Sequence, residues 1–299
     1  ASTIYGGTFN LFAVTMKKLG IEVTFVDADA SEEVISGAFR PNTKALFGET
    51  VTNPAVNVLD IEKFAGIAHR HGVPLIVHNT FPTPINCRPF DFGADIVIHA
   101  TTKYMDGHAT SVGGAIVDSG NFDWMAHADK FPGLTQPDPS YHGLAYAKVF
   151  GKKGYIVKAT AQLMRDFGSI PSPQNAFLLN LGLETLHVRV QRHCENALAI
   201  AEYLENRPEV SWINFSGLKN DKYHALAQKQ FRNGCSCGVL SFGIKGGREK
   251  SIKFMDSLKL VSIVTHVADA RSCVLHPASH THRQLSDEQL LAAGVRPDL

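Results

Sequence analysis

The first half of the chain alternates short apolar runs with amphipathic segments. The runs at residues 74–77 and 95–98 are continuously apolar, as strands buried on both faces are. Residues 23–26, 44–49 and 113–117 have the same strand-like character. This alternation of strands and helices predicts an α/β fold with a mostly parallel sheet flanked by helices.

Two segments between these runs have helical signals. Residues 60–71 place apolar side chains on one face, and Asp60 stands where an N-cap is expected. Residues 31–39 begin with Ser-Glu-Glu, which is typical of a helix start. We therefore expect a helix in each.

The second half predicts a smaller α+β unit. A long helical pattern covers about residues 175–206, followed by a short strand at 239–244 and a helix at about 250–258. We place the domain boundary near Gly182, which gives a large α/β domain over 1–182 and a C-terminal α+β domain over 183–299.

The Pro-rich segment 130–141 is long for a simple connection. It carries Phe131, Leu134 and Tyr141. Loops of this kind are usually functional or contact a partner. We expect it to pack on a neighbouring subunit.

Composition narrows the class of protein. The chain has 299 residues, of which 44% are hydrophobic and 19% are charged, so it is not a disordered chain. A net charge of +1 gives no electrostatic reason to expect nucleic acid or an anionic membrane as a partner. The five cysteines are scattered and odd in number, which favours reduced thiols and a cytoplasmic location.

The ends of the chain predict a truncated protein. It begins with Ala1 rather than Met, and residues 295–299 follow a loop with no closing element. The first residues also lack the basic and apolar regions of a signal peptide.

Two motifs suggest other chemistry, and both are weak. Gly234–Gly238 matches the G-x-S-x-G pattern of serine hydrolases, but a strand follows it where the hydrolase elbow needs a helix. Cys273, His276, His280 and His282 contain metal-binding residue types, but their spacing fits no standard zinc pattern. Neither motif is expected to form a site.

Residues 95–114 carry the strongest signal. A buried strand ends at His99, and Lys103 follows it; ligands of open parallel sheets bind beyond such strand ends. Burial lowers the pKa of a lysine and prepares it for Schiff-base chemistry. Thr101 and Thr102 offer hydroxyls for a phosphate, and the strand end at 75–80 would open into the same crevice.

Five short motifs are specific in combination. They are, in chain order, residues 5–8 (YGGT), 53–55 (NPA), 74–81 (PLIVHNTF), 102–104 (TKY) and 276–279 (HPAS). With them the chain resembles the Cys/Met-metabolism family of pyridoxal-phosphate (PLP) enzymes, which have the fold of aspartate aminotransferase (PLP fold type I). The resemblance covers essentially the whole chain. Within the family, residues 118–124 and 131–143 resemble the O-acetylhomoserine sulfhydrylase branch.

The resemblance implies roles for individual residues. Lys103 would attach PLP as a Schiff base, and Tyr5 would stack on the pyridine ring. Thr102 would hold the phosphate, and Asn53 would lie near the ring hydroxyl or the substrate carboxylate. The implied cofactor-binding set is Lys103, Tyr5, Thr102, His78, Asn53 and Thr80.

The implied reaction replaces the acetate of O-acetylhomoserine by sulfide and yields homocysteine, a step of methionine biosynthesis. The implied enzyme is a homodimer or homotetramer. Cystathionine synthase, cystathionine lyase or methionine lyase activity is an alternative reaction. A truncated, catalytically silent relative is an alternative of another class.

The departures from the family pattern bear on that choice. His78 stands where relatives have the aspartate that pairs with the pyridine nitrogen, and Ala100 stands where they often have a phosphate-binding serine. We expect His78 to weaken protonation of the ring nitrogen unless another carboxylate serves. Asp95 and Asp106 are the nearest in sequence to the lysine motif. The family also has segments before Ala1 and after Leu299 that contribute to the site.

Overall fold

A four-stranded sheet forms the centre of the large unit. A computed structural model describes residues 1–280, 286, 288, 290, 295, 296 and 299. The strands β1 (Leu46–Glu49), β2 (Leu75–His78), β3 (Ile96–Ala100) and β4 (Gly114–Asp118) lie side by side in that order. β1, β2 and β3 are parallel, and β4 is antiparallel to β3. The predicted, mostly parallel sheet is confirmed.

The register of the parallel strands brings their carboxyl ends to one edge. Glu49 of β1 is paired with His78 of β2, and His78 with Ile98 of β3. Paired residues on adjacent strands project from the same face of a sheet. The side chains of Glu49 and His78 are therefore neighbours at the carboxyl edge.

Helices surround this sheet, and most are short. In chain order they are α1 (Gly6–Asn10), α2 (Met16–Lys18), α3 (Glu32–Gly37), α4 (Ile61–Arg70), α5 (Thr83–Asn86), α6 (Pro132–Thr135), α7 (Tyr146–Phe150), α8 (Gly154–Lys158), α9 (Arg165–Phe167), α10 (Pro173–Glu184), α11 (Leu186–Glu205), α12 (His224–Gln230) and α13 (Gly247–Ser257). π-helical turns cover Leu11–Thr15 and Ala159–Met164, and 3₁₀ turns cover Pro89–Phe92, Pro139–Tyr141, Gly151–Lys153 and Arg232–Gly234.

Two small pairs of strands lie in the second half. β5 (Val210–Asn214) and β6 (Ser241–Ile244) are antiparallel, and β7 (Ser262–Ile263) and β8 (Cys273–Val274) are parallel. The strand predicted over 239–244 and the helix predicted over 250–258 are thus present, with shifted ends.

Capping fixes the two helices predicted in the first half. The Asp60 carboxylate accepts from the Lys63 N–H at 3.0 Å, and the Ser31 hydroxyl accepts from the Val34 N–H at 3.4 Å. Such contacts satisfy backbone donors that a helix start leaves free. α4 then buries Ile61 and Phe64 in the core.

Two of the predicted elements differ from those in the structure. Residues 23–26 form no described strand; the Val26 carbonyl accepts from the Ser2 N–H of the amino-terminal segment at 2.6 Å. The single helix expected over 175–206 is two helices, because the chain breaks at Thr185. The boundary near Gly182 falls inside α10, and the division into 1–182 and 183–299 stays a prediction.

The segment 130–141 packs against its own chain. It contains α6 and the 3₁₀ turn Pro139–Tyr141. Phe131 contacts Trp124 edge-on, with 5.0 Å between the ring centroids. Tyr141 stacks on Tyr146, with 5.5 Å between the ring centroids. Leu134 is buried in the same cluster. These side chains pack within the chain, and the predicted contact with a neighbouring subunit stays a prediction.

Of the described helices, none combines the length and apolar character needed to cross a lipid bilayer.

Candidate active site at the carboxyl edge of the sheet

A cleft opens beyond the carboxyl ends of β1, β2 and β3. Residues from these strand ends, from the amino-terminal segment and from the segment before β8 line it. They are Tyr5, Glu49, Val51, Asn53, His78, Thr80, Phe81, Ala100, Lys103 and Val267. The position agrees with the rule that ligands of open parallel sheets bind at this edge.

The structure brings five of the six predicted binding residues into this cleft. Tyr5, Asn53, His78, Thr80 and Lys103 all line it. Their roles toward a cofactor stay predictions.

Thr102 is the exception. Its hydroxyl accepts from the Gly113 N–H at 3.0 Å and faces the Gly113 carbonyl at 3.3 Å. It therefore ties the lysine turn to the start of β4 and does not line the cleft. Its predicted phosphate contact stays a prediction.

Tyr104 anchors the turn that carries Lys103. Its ring is buried, with only 2% of the residue exposed, and lies 5.3 Å from the ring of His193 on α11. Its hydroxyl accepts from the Gly238 N–H at 3.1 Å. Arg189 of α11 donates to the Tyr104 carbonyl at 2.8 Å. Ring, hydroxyl and backbone of Tyr104 are thus each held by a different contact.

Gly182 allows α10 to approach the same turn. A side chain at this position would run into the carbonyl oxygens of Met105 and Asp106. Arg189 also donates to the Gly182 carbonyl at 2.6 Å. The lysine turn is therefore clamped between α10 and α11.

Burial changes the acid–base behaviour of Lys103. The side chain is half-buried, and desolvation lowers the pKa of Lys103, while the nearby Cys273 opposes that shift. A lower pKa leaves more of the amine neutral and nucleophilic at a given pH. The lowered pKa expected from the sequence is present.

Glu49, His78 and Thr80 form a hydrogen-bonded row along the cleft. Glu49 Oε1 lies 3.3 Å from His78 Nδ1 and accepts from the Tyr5 N–H at 3.0 Å. His78 Nε2 lies 2.5 Å from the Thr80 hydroxyl. That hydroxyl accepts from the Ala100 N–H at 2.8 Å. The row joins the ends of all three parallel strands.

The carboxylates expected to replace the missing aspartate lie elsewhere. Asp95 accepts from the Leu75 N–H and pairs with His69, both at 2.8 Å, at the amino end of β2. Asp106 accepts from the Thr110 N–H at 2.9 Å and does not line the cleft. The two carboxylates nearest in sequence to the lysine motif are therefore not in the cleft, because proximity here is set by strand register.

Sequence reasoning missed four lining residues. Glu49 had a detectable signal, since an acidic residue ends the apolar run at 44–49 in the place where His78 ends the next one. Val51 and Phe81 follow the same strand ends. Val267 is distant in sequence and had no local signal.

The first of the two weaker motifs, Gly234–Gly238, does not expose its serine, and the second falls partly outside the described residues. Ser236 is fully buried and its hydroxyl accepts from the Ser216 hydroxyl at 2.8 Å, so it is not an exposed nucleophile. His282 lies outside the described residues. Within the part of the chain that is described, no group of three or more His, Cys, Asp or Glu side chains is arranged to hold a metal ion.

Comparison with known proteins identifies the family. The model of the Cys/Met metabolism PLP-dependent enzymes matches residues 1–299. The chain belongs to this family.

Several curated relatives match along the whole chain. It is 46% identical over 299 residues to a homocysteine synthase of Schizosaccharomyces pombe, covering 100% of this chain and 69% of the relative. It is 44% identical over 305 residues to an O-acetyl-L-homoserine sulfhydrylase of Leptospira meyeri, covering 99% of this chain and 68% of the relative.

A solved structure confirms the fold. A Campylobacter jejuni protein assigned as an O-acetylhomoserine (thiol)-lyase superposes with a TM-score of 0.94 at 36% identity, covering 99% of this chain and 70% of that one. That protein carries N'-pyridoxyl-lysine-5'-monophosphate. PLP fold type I is therefore the fold of this chain, and PLP is its cofactor.

The residues of the cleft fit this cofactor. PLP binds through its aldehyde, and the cleft holds one amine, Lys103, whose pKa burial lowers. The aromatic ring of Tyr5 is suited to stack on a pyridine ring. The side chains of Asn53 and Thr80 supply neutral polar groups beside Lys103 and Tyr5.

We predict that Tyr104→Phe destabilises the protein by about 1–3 kcal/mol, because it leaves the partly buried Gly238 N–H without its acceptor. The thermal midpoint measures this loss. Tyr146→Phe is the matched control, since the buried Tyr146 hydroxyl has no hydrogen-bond partner among the described residues. Equal midpoints for the two variants would contradict the anchoring role.

Proposed function

We propose that this protein is a PLP-dependent O-acetyl-L-homoserine sulfhydrylase. It replaces the acetate of O-acetyl-L-homoserine by sulfide and releases L-homocysteine and acetate. The observation that carries the proposal is Lys103, a half-buried amine with a lowered pKa in a cleft lined by Tyr5 and Asn53. The names of the curated relatives support this choice of substrate.

Lys103 has two tasks in this proposal. Its neutral amine attaches the cofactor, and its Nζ afterwards takes a proton from the substrate carbon and returns it to a neighbouring carbon. Both tasks need an amine that is unprotonated part of the time, which burial favours. PLP, when bound, supplies the electron sink for the carbanion chemistry.

The remaining residues of the cleft bind the cofactor and the substrate and exclude water. Tyr5 offers its aromatic face to the ring of the cofactor, and the Asn53 amide donates to an oxygen of the cofactor or the substrate. Thr102 contributes its hydroxyl to the phosphate in the bound enzyme. Val51, Phe81 and Val267 give the cleft an apolar wall that excludes water.

The proposed reaction indicates the pathway and the cellular location of the protein. Homocysteine formation belongs to methionine biosynthesis. We place it in the cytoplasm, which the five free cysteines support, since thiols stay reduced there.

The proposal is tested by labelling and product analysis. Borohydride reduction of the PLP-loaded protein should fix a pyridoxyl group on Lys103, and Lys103→Ala should abolish the label, because no other lysine lines the cleft among the described residues. Lys148→Ala is the control and should keep it. Peptide mapping measures the site of the label.

Analysis of the products distinguishes the sulfhydrylase from the alternative functions. Sulfide-dependent formation of homocysteine and acetate supports the sulfhydrylase. Release of a keto acid and ammonia without sulfide would assign an elimination reaction instead. A label on Lys17, Lys44 or Lys148 would overturn the role of Lys103. The absence of any label would also overturn it and would indicate a catalytically silent relative.

We also propose that the protein is a homo-oligomer. Large apolar side chains lie exposed on consecutive helices and their connection, namely Phe167, Ile170 and Phe177, at 80%, 67% and 56% exposure. Exposed apolar surface of this extent favours association.

Light scattering tests the association. We expect at least twice the mass of one chain, and a smaller mass for the double variant Phe167→Glu, Phe177→Glu. Leu260→Glu is the control, because Leu260 is exposed but lies outside residues 167–177. A strict monomer at all concentrations would contradict the proposal.

A further inference from the structure

We propose that Glu49 supplies the negative charge facing the ring nitrogen of PLP, and that His78 positions Glu49 instead of pairing with the ring. The inference rests on the proposed PLP site at Lys103. It assigns a binding role to a carboxylate that the sequence motifs did not mark.

The position of Glu49 carries the first step. It ends β1, and the parallel register places it beside His78 at the end of β2. The residue is only 2% exposed, and it lines the same cleft as Lys103 and Tyr5. Of the carboxylates that the structure describes, Glu49 is the one in the cleft lining.

The hydrogen bonds of His78 carry the second step. The ionised Glu49 carboxylate can only accept, so His78 Nδ1 donates to it across the 3.3 Å contact. His78 Nε2 is engaged by the Thr80 hydroxyl at 2.5 Å. Both ring nitrogens are thus occupied by the protein itself. His78 therefore has no free lone pair for an N–H group of a bound ring.

The charges around Glu49 carry the third step. No described lysine or arginine side chain forms an ion pair with it; the one basic side chain paired with it among the described residues is the His78 imidazole at 3.3 Å. The groups that face this pair are Lys103 from the turn and His99 from β3.

His99 is largely uncharged at neutral pH, because burial lowers the pKa of His99 to about 4. A buried carboxylate is costly unless a positive group pairs with it. A protonated pyridine nitrogen is such a group, and the carboxylate in turn keeps the proton on that nitrogen.

The test uses PLP labelled with ¹⁵N at the ring nitrogen, whose chemical shift reports protonation directly and without turnover. With the unchanged protein we expect the shift of a protonated pyridine. Glu49→Gln should move it to the unprotonated position and raise the dissociation constant for PLP by roughly tenfold or more, as loss of a charge-assisted hydrogen bond implies.

Two further variants make the result specific. His78→Asn keeps a donor for Glu49 and should retain the protonated shift. Adding His78→Asp to Glu49→Gln should restore it, because a carboxylate returns to the same edge. Asp95→Asn is the matched control; it removes the carboxylate of another histidine pair, away from the cleft, and should change nothing.

Several outcomes would overturn the inference. These are an unprotonated shift in the unchanged protein, a protonated shift in Glu49→Gln, or loss of the protonated shift in His78→Asn. If Glu49→Gln does not fold, the unchanged protein and His78→Asn still decide. A protein that takes no pyridoxyl label on Lys103 contradicts the proposed function; a labelled protein whose ring nitrogen ignores Glu49 contradicts only this inference.

Discussion

The site depends on the burial of one aromatic residue. Tyr104 lies in the core next to Lys103, so the turn after β3 cannot move without exposing its ring. A buried tyrosine hydroxyl is stabilised by a hydrogen-bond partner, and the Gly238 N–H provides one from the distant second half of the chain. Packing and hydrogen bonding therefore fix a lysine that would otherwise be a flexible surface charge. The lowered pKa of Lys103 follows from the same burial.

Parallel pairing adds the electrostatic part of the site. Three adjacent strands end at one edge, so residues far apart in sequence, such as Glu49, His78 and Ala100, become neighbours. The hydrogen-bonded row from Glu49 to the Ala100 N–H closes this edge. The amine and the carboxylate of the cleft are thereby set by the same sheet. Their placement is a property of topology more than of any single motif.

The sequence predicted the sheet and most of the cleft because both have local signals. The apolar runs at 74–77 and 95–98 marked β2 and β3, and Lys103 followed one of them directly. The role of Glu49 could not be read in this way, because it depends on the register between β1 and β2. The break at Thr185 was missed because no proline stands between α10 and α11 to mark it. The interior packing of Phe131 and Tyr141 also needed the tertiary structure.

The central claim is that burial in this cleft makes Lys103 the reactive amine of the protein. The direct measurement is the pH dependence of its reductive methylation in cofactor-free protein, followed by peptide mapping. Desolvation lowers the pKa of Lys103, so its reaction should rise at a lower pH than that of an ordinary lysine, whose pKa is 10.5. A midpoint at or above the ordinary value would contradict the account.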